Sequence, residues 1–127
     1  MQDIVIVAAT RTAVGKFGGT LAKTPATELG AAVIAEVLKR SGLQAEQVGE
    51  VIMGQVLAAG AGQNPARQAV IKSGLNQGTP GLTINAVCGS GLVDLPDGSR
   101  CVVAGRAHRR HTLGRGARRG LRGLRDR

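Results

Sequence analysis

A single phenylalanine, Phe17, is the whole aromatic content of this 127-residue chain, which has no Trp and no Tyr. Any core must be assembled from Val, Ile, Leu, Ala and Met, without the large buried area that aromatic rings supply. Twenty glycines add backbone entropy that folding has to overcome. The length allows one domain. These limits describe a marginal domain with a small aliphatic core.

Within them the apolar residues are ordered. Residues 4–9 (IVIVAA) form a continuous apolar run, the pattern of a strand buried on both faces. A polar loop with Gly15, Gly18 and Gly19 follows. Thr24 and Pro25 then read as N-cap and first helical position. Leu29, Val33 and Val37 recur every four residues, widened by Ile34 and Leu38. Lys39 and Arg40 fall in the last turn with Gly42 just beyond, which suits a helix C-terminus. Residues 50–56 (EVIMGQV) predict a second strand. Asn64 and Pro65 open a short helix through Ala66, Ala69 and Val70, ended by Gly74. Residues 82–87 (LTINAV) predict a third strand running directly into Cys88. The order β-α-β-α-β implies an α/β fold with a parallel sheet and right-handed crossovers. There is no internal repeat.

The net charge of +9 is unevenly spread. Residues 1–92 carry seven Lys/Arg against five acids, whereas residues 93–127 carry ten Arg against three Asp. The chain therefore divides into residues 1–92, an ambiguous stretch 93–105 and an Arg-rich tail 106–127. In the middle stretch Pro96 would interrupt the second turn of a helix starting at Gly89, and residues 99–105 (SRCVVAG) could form a remnant strand. The tail has nine Arg in 22 residues and no Ile, Val, Phe, Met, Lys or Glu, too little apolar surface to order itself. One reading is a basic arm for nucleic acid. The other is out-of-frame translation of GC-rich codons, and it accounts better for the absence of Lys and of aromatics.

Cys88 and Cys101 are too few for a disulfide framework and favour a reducing compartment. The N-terminus lacks the basic and apolar regions of a secretory signal, and no run approaches the roughly 20 apolar residues that span a bilayer. The expected location is the cytoplasm.

The candidate functional residue is Cys88, in residues 85–91 (NAVCGSG), where a strand would turn into a helix. Small neighbours let a substrate approach the backbone, and the helix's orphan N–H groups favour a thiolate, the nucleophilic form. A buried structural cysteine is the competing reading. Cys101, His108 and His111 lack the spacing of a zinc site. Residues 60–65 (GAGQNP) lack the third glycine and the acidic residue of a dinucleotide loop. Arg67 and Lys72 could meet phosphate, although a solvated helix face accounts for them more simply.

Five segments together carry a family resemblance. Residues 4–12 (IVIVAATRT), 13–19 (AVGKFGG), 51–56 (VIMGQV), 62–69 (GQNPARQA) and 85–91 (NAVCGSG) resemble the blocks of thiolases, in order and spacing. The resemblance covers residues 1–92 and is strongest to the biosynthetic acetyl-CoA acetyltransferases (β-ketothiolases). It implies the first part of a truncated thiolase-type N-terminal domain. It also implies acyl-CoA acyl transfer with Cys88 as nucleophile, coenzyme A thioesters as substrates, no metal or other cofactor, and a homo-oligomeric parent. In the family a histidine and a second cysteine complete the site from later in the chain, so this fragment is expected to be inactive. Cys101 resembles a structural thiol of the family's following strand. The alternatives are a degradative 3-ketoacyl-CoA thiolase fragment and a non-catalytic basic protein that binds nucleic acid through its tail. A membrane partner is not expected.

Overall fold

The fold, a computed structural model, describes residues 5–93 and 102–106. Three parallel strands, β1 (Glu50–Gly54), β2 (Gly81–Ile84) and β3 (Val102–Arg106), form a sheet in the order β2-β1-β3. Val51 pairs with Gly81 on one side and with Val103 on the other. Helices α1 (Ala26–Ser41) and α2 (Pro65–Ser73) precede β1 and β2, and a single helical turn, α3 (Ser90–Val93), follows β2. Short 3-10 turns occupy Ala45–Gln47 and Val87–Gly89. The expected α/β architecture with a parallel sheet is present.

α1 and α2 meet over Val51 and Met53, and with Ile34, Val48, Ala66, Ala69, Val70 and Leu75 these side chains make the core. Of the expected stripe of α1, Ile34 is buried and Leu38 packs against the core, whereas Leu29, Val33 and Val37 are only half-buried. The rest of the buried face is Ala26, Thr27, Gly30 and Ala31. Small residues win that face because α2 lies so close: a Cβ on Gly30 would sit 3.0 Å from Met53 Cε and 3.3 Å from Ala69 Cβ. The contact at β2 is tighter still. A Cβ on Gly81 would lie 2.9 Å from Arg67 N and 3.0 Å from Arg67 Cα.

The helix ends follow the sequence signals with one shift. Gly42 and Gly74 end α1 and α2 at φ +70 and +82, left-handed values that glycine adopts without penalty. Asn64 caps α2, its Oδ1 accepting from Arg67 N–H at 3.2 Å. For α1, Pro25 itself occupies the N-cap and Thr24 supplies no side-chain cap, so the start lies one residue later than expected. On the helix exterior Arg40 Nε donates to Glu36 at 2.6 Å, and this hydrogen bond holds the Glu36 carboxyl below its usual pKa. Both groups are substantially exposed, so the pair adds little to stability.

Two strand expectations need correction. Val5, Ile6 and Val7 are 72, 84 and 60% exposed and join no strand; Ile4 lies outside the described residues. A strand needs a hydrogen-bonded neighbour, and among the described residues the sheet contains only β2, β1 and β3. The third strand stops at Ile84 instead of Val87, because the next amides bond to local side chains: Ala86 N–H donates to Ser90 Oγ and Val87 N–H to Asn85 Oδ1, both at 3.1 Å. β3, at Val102–Arg106, overlaps the expected remnant strand at 99–105. Pro96 and all but the first residue of the 106–127 tail lie outside the described residues.

Ile34→Ala should cost about 2–5 kcal/mol in urea unfolding of the 127-residue chain, whereas Ile6→Ala should stay within about 0.5 kcal/mol. Gly81→Ala should destabilise more than Gly30→Ala in the same assay. At Gly30 the flexible end of Met53 can yield, and helix propensity returns up to about 1 kcal/mol. At Gly81 the obstruction is backbone.

Candidate active site

The site is built where β2 ends. Asn64 and Thr83 fix that strand against the start of α2. Thr83 Oγ1 accepts from Ala66 N–H at 2.9 Å and donates to Asn64 Oδ1 at 2.6 Å, while Asn64 Nδ2 donates to the Gly81 carbonyl at 2.9 Å. The first turn of α2 and the strand that leads to Cys88 are therefore tied together by side-chain hydrogen bonds.

Beyond Ile84 the chain folds back on itself. Asn85 Nδ2 donates to the Val56 carbonyl at 3.0 Å, tying this turn to the segment after β1. Ser90 is fully buried; its Oγ donates to the Val87 carbonyl at 2.8 Å and accepts from Ala86 N–H. Gly89 N–H closes the turn on the Ala86 carbonyl at 2.9 Å. Val87 is held at φ +50, in the left-handed region that β-branched residues avoid. Cys88 sits at the crest, exposed and free. The burial that the competing reading of a structural cysteine expects is not found. A free, exposed thiol beyond the carboxyl end of a parallel strand stands where α/β folds place their ligands.

The other sequence candidates divide. Arg67 neither awaits phosphate nor points into solvent: its guanidinium donates to the Thr79 carbonyl at 2.9 Å and to the Gln77 carbonyl at 2.6 Å, stapling the turn before β2. Lys72 links the helices, donating to Thr27 Oγ1 at 3.2 Å and lying 3.8 Å from Glu28. The loop at 60–65 is closed internally, with Gln68 Nε2 donating to the carbonyls of Ala61 and Gln63. Cys101, His108 and His111 lie outside the described residues. Among the described residues no three His, Cys, Asp or Glu side chains group to hold a metal ion, and no helix is long and apolar enough to cross a membrane. Sequence reasoning missed the roles of Asn85 and Ser90. The available signal was an Asn two residues before Val87, the spacing of an Asx turn.

The sheet, the stapled helix and the cysteine turn define a thiolase N-terminal domain: that family matches residues 4–114, and the chain belongs to it. The match runs past residue 92, where the motif resemblance ends, and takes in β3. Its relatives include the acetyl-CoA acetyltransferases of Pseudomonas aeruginosa and Cupriavidus necator, 64 and 63% identical over 107 residues. Each of those alignments covers 84% of this chain and 27% of the relative, so the chain spans little more than a quarter of their length. A thiolase from Ascaris suum, solved in complex with coenzyme A, has the same fold with a TM-score of 0.70 and 41% identity, over 73% of this chain and 24% of that one.

Arg67→Lys should destabilise the chain by about 1–2 kcal/mol in urea unfolding, because an ammonium cannot hold both carbonyls with a planar fork. Protection of the 76–80 turn amides from hydrogen exchange should fall in the same variant.

Proposed function

We propose that this chain is the nucleophile-bearing opening part of an acetyl-CoA acetyltransferase, and that Cys88 is its acyl acceptor. The observation that carries the reading is the exposed thiol of Cys88 at the crest of the 85–91 turn, in the motif that resembles the family's first cysteine motif. The names of the relatives and the coenzyme A bound to the Ascaris suum thiolase support an acyl-CoA substrate.

The chemistry follows from the thiol. Cys88 Sγ, as thiolate, attacks the thioester carbonyl carbon of acetyl-CoA. The carbon–sulfur bond to coenzyme A breaks, and coenzyme A leaves with a proton, giving an S-acetyl cysteine. A second acetyl-CoA, deprotonated at its methyl carbon, attacks that acetyl carbonyl. The bond to Cys88 breaks, acetoacetyl-CoA departs and the thiolate is restored. The resemblance assigns the proton transfers to a histidine and a second cysteine in the part of the relatives' length that this chain does not span. The parent assembly is homo-oligomeric and cytoplasmic in this reading, it uses no metal, and the Arg-rich tail takes no part in acyl transfer.

The isolated 127-residue chain should show no thiolysis of acetoacetyl-CoA. A chimera joining residues 1–93 to the remainder of the Cupriavidus necator relative should regain it, and Cys88→Ala in that chimera should lower kcat by at least about a thousandfold. Turnover by the isolated chain at the rate of a full-length relative would overturn the division of labour. An active Cys88→Ala chimera would overturn the role of Cys88.

A further inference from the structure

Val87 is the one β-branched residue among the described residues with a positive φ, +50, and it directly precedes Cys88. Left alone it would not stay there: left-handed backbone crowds the Cβ of any L-residue, and branching at Cβ worsens the clash. The apolar pattern of residues 82–87 favours continuing β2 through Val87 instead. A strained conformation of this kind persists only where its surroundings over-determine it.

Two side chains supply that over-determination. Ser90, at 0% exposure, grips the two peptide groups that flank the Ala86–Val87 peptide: it accepts from Ala86 N–H at 3.1 Å and donates to Val87 C=O at 2.8 Å. Asn85 takes the remaining donor, Val87 N–H, at 3.1 Å, and anchors the turn to Val56 C=O at 3.0 Å. The anchor matters because Val56 follows β1, the central strand, so the turn is referenced to the most constrained part of the sheet.

We propose that Asn85 and Ser90 are positioning residues for Cys88, acting by clamping Val87 in its left-handed conformation. This rests on the reading of Cys88 as the acyl acceptor and adds what holds the acceptor in place. Each residue that reverts from turn to strand would carry the thiol outward by up to about 3.3 Å, and a misplacement of about 1 Å at a reacting atom is worth on the order of a hundredfold in rate. Neither side chain needs to touch the acyl group. Ser90 is sealed from solvent, and the side-chain hydrogen bonds that Asn85 makes run to backbone groups.

The test uses the full 127-residue chain with Cys101→Ser, so that one thiol reports, and a nitroxide attached to Cys88 through a methanethiosulfonate reagent. Ser90→Ala and Asn85→Ala should each sharpen the electron paramagnetic resonance lines towards those of the urea-unfolded chain. Amide exchange should quicken by on the order of tenfold at Ala86 for Ser90→Ala and at Val87 for Asn85→Ala, the worth of one hydrogen bond. Adding Val87→Gly to Ser90→Ala should restore the wild-type line shape, because glycine holds a positive φ unaided; a generally loosened fold would not be rescued this way. Unchanged lines in both alanine variants, or no rescue by Val87→Gly, would overturn the proposal. Should Ser90→Ala fail to fold, Val87→Gly alone decides: relief of strain predicts a melting midpoint a few degrees higher, and a lower one overturns the clamp. None of these readouts involves acyl-CoA, so they judge the clamp alone, while activity of the Cys88→Ala chimera judges the acceptor.

Discussion

The rest of the described structure depends on how closely α2 approaches β2. Backbone meets backbone where Gly81 faces Ala66 and Arg67, with no room for even a methyl group. The first N–H groups of a helix have no acceptor within it. The polar cluster of Asn64 and Thr83 supplies one here, taking the amides of Ala66 and Arg67 and returning a donor to Gly81. Arg67 then reaches from the same turn to hold the segment leading into the strand. A chain without large side chains gains its packing through proximity, and proximity obliges it to satisfy polar groups internally.

Much of this was legible in the sequence, and the successes share a cause. Gly42, Gly74, Asn64 and Pro65 mark helix ends because their preferences are set by their own backbone and nearest neighbours. The parallel α/β order followed from apolar runs alternating with helices. The readings that failed depended on partners distant in sequence or on side chains that override pattern. Residues 5–7 are as apolar as any strand, yet an apolar pattern does not reveal whether a neighbouring strand pairs with them. The stripe on α1 turned towards Gly30 because an approaching helix rewards smallness over hydrophobicity.

At the candidate site the sequence singled out Cys88 and missed the side chains that hold its turn. Cys88 was conspicuous as a chemical group beside small residues. Ser90 and Asn85 are ordinary polar residues until their hydrogen bonds are traced, and nothing in a one-dimensional pattern announces that Val87 will be left-handed. Even the end of β2 was misjudged for this reason: the apolar run continues to Val87, but side-chain acceptors capture its amides first.

The parallel order of the sheet also sets a schedule for synthesis. β1 is central, yet every partner it has lies downstream: Val51 waits for Gly81 on one side and for Val103 on the other. With no hairpin to form locally, the strand emerges from the ribosome unpaired, and at about 5–20 residues per second it stays so for on the order of seconds. During that interval Val51, Ile52 and Met53 form an adhesive segment that α1, already synthesised, can shelter. The small-residue face of α1 thus serves the nascent chain before it serves the folded one, as cover for a strand whose described neighbours have not yet been made.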